Sequence, residues 1–505
     1  MTNLNTWIRT VTAGLIFSSV MVHTALAQDF KTLFTFDETD GAQPMYMALV
    51  QGIDGELYGT TAIGGTATQC YYGGCGTVFR ITPAGVLTVL YSFCVGDDCL
   101  GGTAPQAGLV LATDGNFYGT TATSSVFRIT SKGSLTTIFN ICYAGVCKNG
   151  QDPWAPVIQG SNGNLYGTAS SGGHCSQPGE SCGTLFEVST QGALVRVYRF
   201  CSEANCPDGR NPYAPLVQGT DGNFYGTTAF GGVNDAGTLF KVTPQGVLTT
   251  LYSFCSQPNC SDGEVPTSSL IQASDGNFYG TTFYGGNSNC AFSNSCGTVF
   301  KITPDGILTT VYSFCEQVNC PDGSNPWAGL IQGTDGNFYG TTPYGGADLV
   351  DCSNNFPGCG TVFQITPEGV LTTLHSFSNI DGAAPQGGLL QATNGIFYGS
   401  TTLGGKLNCL YPSGSCGTVF SINMGLDPFV SFVRNPARVG QQFGILGQGL
   451  TGSSSVSLNG MPASFIVKSD TLILATVPSG ATTGYGTVTT PTGVLTSNVP
   501  FRVLP

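Results

Sequence analysis

The sequence holds few charged residues, histidines and tryptophans. Charged residues make up 9% of its 505 positions, and histidine and tryptophan occur 3 times each. Because nucleophilic triads and many zinc sites require histidine, few positions could support either chemistry. The 16 basic residues are outnumbered by 29 acidic ones, so the chain repels polyanions and a nucleic-acid partner is not expected.

Long apolar runs are also missing after the N-terminus. The apolar stretch VTAGLIFSSVMV has 12 residues, follows Arg9 and precedes the small residues of Ala25–Ala27. It is too short to cross a hydrocarbon layer of about 30 Å, and its order of charge, apolar core and small residues is typical of a cleaved secretion signal. We therefore expect residues 1–27 to be removed and an exported mature chain without a transmembrane segment.

Cysteine, in contrast, is abundant, and all 20 cysteines follow residue 27 in ten close pairs. Five pairs have the spacing C-x4-C: Cys94/Cys99, Cys142/Cys147, Cys201/Cys206, Cys255/Cys260 and Cys315/Cys320. Five others lie at CGT segments: Cys70/Cys75, Cys175/Cys182, Cys290/Cys296, Cys352/Cys359 and Cys409/Cys416. Comparable segments that lack one cysteine, such as HSFSNIDGAAP, lack its partner too. We therefore predict ten local disulfides in an oxidising compartment, and no metal or cofactor.

One octet recurs along the chain. DGNFYGTT and its weaker copies begin at Asp54, Asp114, Asn162, Asp221, Asp275, Asp335 and Asn394. Asp-Gly and Asn-Gly between apolar runs predict tight hairpins because these residues tolerate positive φ angles. We interpret the octet acids as turn formers rather than calcium ligands, since they occur singly and not in a D-x-D-x-D run.

The repeat unit predicts four short strands. The octet tyrosines recur every 48 to 60 residues, and both faces of segments such as LTTLYSF are partly apolar under a strict alternation. An all-β fold with a seven-bladed β-propeller accounts for this period. The seventh unit lacks its fourth strand, and a lone copy, FKTLFTF at Phe30–Phe36, is expected to complete blade seven.

The unit DGNFYGTTxxGG…CGTVFKITPxGxLTTLYSF resembles the choice-of-anchor tandem repeat GloVer-containing proteins over Phe30–Leu426. The resemblance implies an exported bacterial repeat protein and supplies no known reaction. Asp427–Pro505 is similar to immunoglobulin-like domains of the IPT/TIG type in G-x-G-L, V-x-L-N-G-x-P-A-x-F and T-P-x-G. That likeness implies a β-sandwich that acts as a spacer or interaction module. The expected division is a signal peptide (1–27), a propeller (28–426) and an immunoglobulin-like domain (427–505).

The predicted topology places every cysteine pair on one propeller face, here called the stapled face. At the inner-strand entrance on this face, the residue after the repeated proline varies: Met45, Gln106, Trp154, Tyr213, Thr267, Trp327 and Gln386. Two interpretations stay open, because Trp154, Tyr213 and Trp327 could plug the central channel or form a ligand-binding crescent.

Structural roles are expected for several other polar residues. The inner-strand glutamines Gln51, Gln159, Gln218, Gln272, Gln332 and Gln391 are expected to satisfy backbone groups between blades. His375 occupies a blade-packing position, and His174 lies in a long loop. Asp208, Asp262, Asp322 and Asp381 follow the C-x4-C segments or their cysteine-free counterpart, as turn formers or ligands for calcium.

No catalytic residue is assigned from these patterns. The leading hypothesis is an exported, non-enzymatic binding or structural protein that uses the stapled face to bind an extracellular glycan or protein. The alternative is a propeller hydrolase or lyase that acts on extracellular polysaccharide with acids from several loops.

Overall fold

The computed structural model describes residues 28–67, 70, 74–95, 99, 102–142, 147–173, 182–286, 295–347, 352, 358–405, 409 and 414–504. These residues form an all-β fold, in which Pro258–Cys260 adds one turn of 3-10 helix. In this part of the chain, no helix has the length and apolarity needed to span a lipid bilayer.

The repeats form seven four-stranded antiparallel sheets, numbered here in chain order. The first strand of the chain is β1 (Asp29–Thr35). Sheet 1 contains β2 (Val50–Gln51), β3 (Leu57–Thr61), β4 (Thr77–Ile81) and β5 (Leu87–Ser92); sheet 2 contains β6 (Val110–Leu111), β7 (Phe117–Thr121), β8 (Ser125–Ile129) and β9 (Leu135–Asn140). Sheet 3 contains β10 (Ile158–Gln159), β11 (Leu165–Ala169), β12 (Thr184–Val188) and β13 (Leu194–Arg199).

The remaining repeats continue this order. Sheet 4 contains β14 (Val217–Gln218), β15 (Phe224–Thr228), β16 (Thr238–Val242) and β17 (Leu248–Ser253); sheet 5 contains β18 (Ile271–Gln272), β19 (Phe278–Thr282), β20 (Thr298–Ile302) and β21 (Leu308–Ser313). Sheet 6 contains β22 (Ile331–Gln332), β23 (Phe338–Thr342), β24 (Thr361–Ile365) and β25 (Leu371–Ser376). Sheet 7 joins β26 (Leu390–Gln391), β27 (Phe397–Thr401) and β28 (Thr418–Asn423) to β1.

The N-terminal strand is therefore the fourth strand of sheet 7. β1 pairs antiparallel with β28, from Asp29 opposite Asn423 to Thr35 opposite Thr418. Phe30 lies 5.6 Å from the ring of Phe420 in the same sheet. Pairing between the two ends of the repeat region covers an edge of β28 that would otherwise expose its backbone hydrogen-bonding groups.

The octet builds the hairpin between the two inner strands of each sheet. In sheet 4, Asp221 Oδ1 accepts a hydrogen bond from the Asn223 amide at 3.0 Å, and Oδ2 accepts one from the Tyr225 hydroxyl at 2.8 Å. The ring of Tyr225 also packs 4.1 Å from Phe278, the octet phenylalanine of the next sheet. The turn interpretation of the octet acids is confirmed, and the octet additionally joins neighbouring sheets.

Strict alternation in the outer strands was a wrong expectation. In sheet 4 the pairing of β16 with β17 shifts register between Leu239, opposite Tyr252, and Phe240, opposite Thr250. Leu251 is thus the extra residue of a β-bulge, which increases the local twist of the strand. Equivalent shifts occur in five other outer-strand pairs. In sheet 3 the shift lies two residues further along, between Glu187 and Val188, so a bulge is part of the repeat although its position varies.

The inner-strand glutamines connect neighbouring sheets: each bonds to the sheet before it in the chain, except that Gln51 of sheet 1 bonds to sheet 7. Their Oε1 atoms accept hydrogen bonds from backbone amides at 2.7–3.1 Å, in the pairs Gln51–Thr393, Gln159–Thr113, Gln218–Ser161, Gln272–Thr220, Gln332–Ser274 and Gln391–Thr334. Their expected role, the satisfaction of backbone groups between neighbouring repeats, is confirmed. The junction of sheets 1 and 2 lacks such a bridge, because sheet 2 has Leu111 in place of the glutamine. The residue of sheet 1 whose amide corresponds to the donors in the other pairs is Ile53.

The C-terminal part of the chain forms further sheets. One contains β29 (Ser431–Val433), β31 (Gln442–Leu446), β35 (Leu472–Thr476) and β34 (Phe465–Ser469); another contains β33 (Met461–Pro462), β32 (Ser455–Leu458), β36 (Gly486–Thr490) and β37 (Gly493–Thr496). β30 (Ala437–Arg438) and β38 (Val503–Leu504) form a parallel pair. Side chains of both larger sheets share one core around Phe443, Ile473 and Val488.

The C-terminal sheets contact the octet-turn side of the repeats. Thr471 Oγ1 donates a hydrogen bond to the Ile53 carbonyl at 2.8 Å. Arg502 Nη1 donates to the Gly219 carbonyl, also at 2.8 Å. Ile53 lies at the junction of sheets 1 and 2, where the glutamine bridge is missing, and the Thr471 contact joins the C-terminal part to sheet 1 at that place.

Candidate functional site

The cysteine pairs lie in two kinds of loop. One kind leads into the innermost strand of a sheet, and the other joins the second and third strands of a sheet. Eight predicted disulfides are formed: Cys70–Cys75, Cys94–Cys99, Cys142–Cys147, Cys201–Cys206, Cys255–Cys260, Cys315–Cys320, Cys352–Cys359 and Cys409–Cys416. Cys182 and Cys296 are also disulfide-bonded, whereas their predicted partners Cys175 and Cys290 lie outside the described residues. This density of disulfides is typical of extracytoplasmic proteins and places the folded chain in such a compartment.

Disulfides of one repeat are close neighbours. The sulfur atoms of Cys70, Cys75 and Cys94 lie within 4.8 Å of one another, although they belong to two different loops. Similar groups occur around Cys182 and Cys296. Because every described cysteine already forms a disulfide, these groups are neighbouring disulfides and not thiolate ligands for a metal.

The aspartates that follow the C-x4-C disulfides accept hydrogen bonds from nearby tyrosines and backbone amides. Asp262 Oδ2 accepts hydrogen bonds from the Tyr252 hydroxyl at 2.7 Å and the Ser256 amide at 2.8 Å. Asp208 and Asp322 make the same tyrosine contact, with Tyr198 and Tyr312. Burial raises the pKa of Asp322. These contacts support the turn-forming role over calcium binding.

His375 replaces that tyrosine in sheet 6. Its ring stacks on Phe30 of β1, with centroids 3.6 Å apart and planes within 7°. Its Nε2 lies 2.9 Å from Asp381 Oδ2, and the histidine hydrogen bond helps to lower the pKa of Asp381 against the opposing effect of burial. The packing role of His375 is confirmed, while His174 lies outside the described residues.

An aromatic cavity lies at the inner-strand entrance on the stapled face. Trp154, Tyr213 and Trp327 all line this cavity, whose volume is about 100 Å³. Trp154 and Tyr213 meet edge to face, with centroids 5.8 Å apart and planes at 69°. Tyr46, which sequence reasoning missed, is the fourth aromatic wall. The four rings come from the entrances of sheets 3, 4, 6 and 1.

Tyr46 links the two tryptophans. Its ring centroid is 5.1 Å from that of Trp327 and 5.5 Å from that of Trp154. Edge-to-face contact with Phe283 supports Trp327 from another side, at 5.1 Å. Burial, followed by the nearby Tyr344 and Tyr213, raises the pKa of Tyr46 to about 12.

A one-residue insertion explains why Tyr46 was missed. Counting forward from the repeated proline selects Met45, which was therefore wrongly taken as the member from the first repeat. Counting back from the inner-strand glutamine selects Tyr46, five positions before Gln51, just as Trp154 precedes Gln159. Tyr46 has a φ of 46°, a left-handed conformation that is rare for an aromatic residue and directs its ring differently from a regular strand.

A second cavity lies at the other end of the inner strands, beneath the C-terminal sheets. It has a volume of about 560 Å³ and is lined by Gln51, Gln159 and Gln391 from the repeats and by Phe429 and Phe432 from the C-terminal part. The described lining of both cavities includes no aspartate, glutamate, histidine or cysteine. Neither cavity therefore presents the paired carboxylates that glycoside hydrolysis requires.

These sheets and octets define an all-β, propeller-like repeat protein. The chain belongs to the Gloeobacter/Verrucomicrobia repeat family, whose profile matches residues 122–347 and 259–489. No curated protein matches the sequence.

Solved structures with some similarity include the extracellular domain of a protein assigned to a hybrid two-component system of B. thetaiotaomicron, at 12% identity and a TM-score of 0.48. The match covers 94% of this chain but 57% of that domain, so this chain spans little more than half of its length. A protein of Bacteroides uniformis named as a 6-phosphogluconolactonase matches at 17% identity and a TM-score of 0.42, over 68% of this chain and 89% of its own. Likenesses at this level carry no argument about function.

Proposed function

We propose that this chain is an exported, non-enzymatic protein that binds an extracellular glycan or protein at the aromatic cavity. The observation that carries the proposal is the convergence of Tyr46, Trp154, Tyr213 and Trp327 from four sheets on one small cavity. Aromatic rings supply a large contact area and lose little side-chain entropy on binding. The disulfide-bonded loops around them restrict motion of the same face.

The proposed architecture is a seven-bladed propeller closed by its own N-terminal strand. Pairing of β1 with β28 supports the closure, as does the hydrogen bond from the Thr393 amide of sheet 7 to Gln51 of sheet 1. Leu57 of sheet 1 and Tyr398 of sheet 7 also belong to one buried cluster. Contacts of sheet 7 with sheet 1 are what a ring requires and an open array lacks.

The proposed domains keep the boundaries expected from the sequence. Residues 1–27 form a cleaved signal peptide, 28–426 the propeller and 427–505 an immunoglobulin-like domain of the IPT/TIG type. Two four-stranded sheets around one core support the last assignment. Its contacts with Ile53 and Gly219 favour a docked module over a flexible spacer.

A binding role is favoured over polysaccharide hydrolysis or cleavage because the described walls of the two cavities hold no aspartate, glutamate or histidine. The phenols of Tyr46 and Tyr213 are poor proton acceptors at neutral pH, since burial raises the pKa of both. The opposing interpretation is that these rings plug the central channel and bind no ligand.

The test compares the mature protein with the double variant Trp154→Ala/Trp327→Ala on an array of glycans and extracellular peptides. We expect the double variant to lose about 1 kcal/mol or more of binding free energy per lost stacking contact while it keeps its circular dichroism and Tm. Tyr485→Ala, an exposed aromatic of the C-terminal part, is the control and should bind as the parent does. Unchanged binding or unfolding of the double variant would establish the plug, and release of new reducing ends from a bound glycan would establish an enzyme.

A further inference from the structure

The rings of the aromatic cavity are walls rather than one flat platform. Tyr46 is inclined by 30° to Trp327 and by 37° to Trp154, whereas Tyr213 is inclined by 69° to Trp154. Stacking on a sugar ring needs one extended aromatic face. Here Tyr46 stacks on Trp327, and the four rings line one small cavity, where the negative faces that remain uncovered favour a cation.

The cavity also matches a small group rather than a whole sugar. Its volume of about 100 Å³ is well below the roughly 300–1,000 Å³ of pockets that enclose drug-sized ligands. Besides the phenol and indole groups of its rings, its polar side chains are Thr267, Ser269 and Gln386, and all of these groups are uncharged. A densely hydroxylated ligand would lose more hydrogen bonds to water than these few groups could replace.

Charge on the surrounding protein agrees with a cationic ligand. The full chain carries a formal net charge of −13, which attracts cations and repels anions. Arg210, whose charge acts on Tyr213, is paired with Asp235 at 3.1 Å. Tyr46 stays a neutral phenol at physiological pH because burial raises its pKa to about 12.

On this basis, and resting on the proposed binding role of the same cavity, we propose that it is an aromatic cage for a quaternary ammonium group. The trimethylammonium end of a ligand would enter the cavity that Trp154, Tyr213 and Trp327 line together with Tyr46, with the rest of the ligand outside. A quaternary ammonium suits walls without carboxylates because it has no N–H group that must be paired, and it is weakly hydrated compared with a primary ammonium.

Tryptophan fluorescence tests the cage directly, because Trp154 and Trp327 are the only tryptophans after residue 27. Mature protein is titrated with tetramethylammonium, choline and the neutral choline isostere 3,3-dimethylbutan-1-ol, at constant ionic strength set with sodium chloride. We expect saturable changes with both cations and about tenfold weaker binding of the isostere, since only the charge differs. Equal binding of choline and the isostere would overturn the cage.

Variants and ligand sources complete the test. Calorimetry should show about tenfold weaker choline binding for Trp327→Ala, little change for Trp327→Phe and none for Tyr485→Ala. Vesicles of phosphatidylcholine, with phosphatidylglycerol as control, distinguish a lipid headgroup from free choline or a trimethyllysine peptide as the source. Binding of a glycan or an unmethylated peptide through both tryptophans without any binding of quaternary ammonium would refute the cage but keep the proposed function. No binding of any of these probes would refute both.

Discussion

At the scale of single residues, the octet carboxylates each hold a turn and a tyrosine together. Asp275 Oδ1 accepts from the Asn277 amide and Oδ2 from the Tyr279 hydroxyl, at 3.0 Å in both cases. Burial and this carboxylate raise the pKa of Tyr279, while the same contacts stabilise the ionised acid. The octet therefore contributes to folding through a hydrogen bond between a partly exposed carboxylate and a buried tyrosine.

The lowered pKa of Asp275 predicts that the stability of the folded protein falls at acidic pH. Burial alone would raise its pKa, but hydrogen bonds from Asn277, Lys301 and Tyr279 lower it from 3.8 to about 2. Since the folded-state pKa lies below the unfolded one, the stabilisation is present above about pH 4 and is lost as the pH falls through about 2. Thermal melts between these pH values should show a shallower loss of Tm for Asp275→Asn than for the parent. Asp305→Asn, an exposed turn acid, is the control, and an equally shallow loss there would contradict the assignment.

At the scale of structural elements, the glutamine bridges add to the apolar packing and the threonine hydrogen bonds that join neighbouring sheets. Gln272 illustrates the geometry, because its Oε1 accepts from the Thr220 amide at 2.7 Å while its Nε2 donates to the Gly276 carbonyl at 2.9 Å. One side chain thus ties its own octet turn to the preceding sheet. The junction of sheets 1 and 2 lacks this bridge, and there the Ile53 carbonyl of sheet 1 accepts a hydrogen bond from Thr471 of the C-terminal part.

Loss of one bridge should weaken the contact between two sheets. We expect Gln272→Leu to reduce the free energy of unfolding by roughly 1–2 kcal/mol, because two backbone groups lose their partner while the apolar volume is kept. Chemical denaturation gives the value, and hydrogen exchange should increase at the Thr220 amide. Gln191→Leu, at an exposed turn glutamine, is the matched control. An unchanged Thr220 exchange rate in Gln272→Leu would show that the bridge has no stabilising role.

At the scale of the whole molecule, the two ends of the repeat region meet in sheet 7, and the C-terminal sheets cover the opposite end from the aromatic cavity. β1 supplies Phe30 to a cluster with His375, Phe377 and Phe420. Exposure of that cluster and of the β28 edge would follow from loss of β1. The C-terminal part has its own core, so its removal exposes less of the repeat interior.

Two deletions should therefore differ in their effects. Removing Phe30–Phe36 from the mature chain should lower the Tm and cause aggregation, because β28 then presents an unpaired edge and an apolar surface. Removing Asp427–Pro505 should leave a folded, monomeric repeat region with a smaller loss of Tm. Scanning calorimetry and light scattering compare the two, and a Tm for the first deletion equal to that of the intact protein would show that β1 is dispensable.

The sequence by itself determined the features that depend on nearby residues. Octet hairpins and C-x4-C staples join groups a few positions apart, so local conformational preference and spacing were sufficient to predict them. Tertiary structure alone decided the position of Tyr46, since an inserted residue and a left-handed φ changed the direction of its ring. It also decided the contact of Thr471 with Ile53, because packing between residues so far apart in the chain depends on the arrangement of whole sheets, which no local pattern encodes.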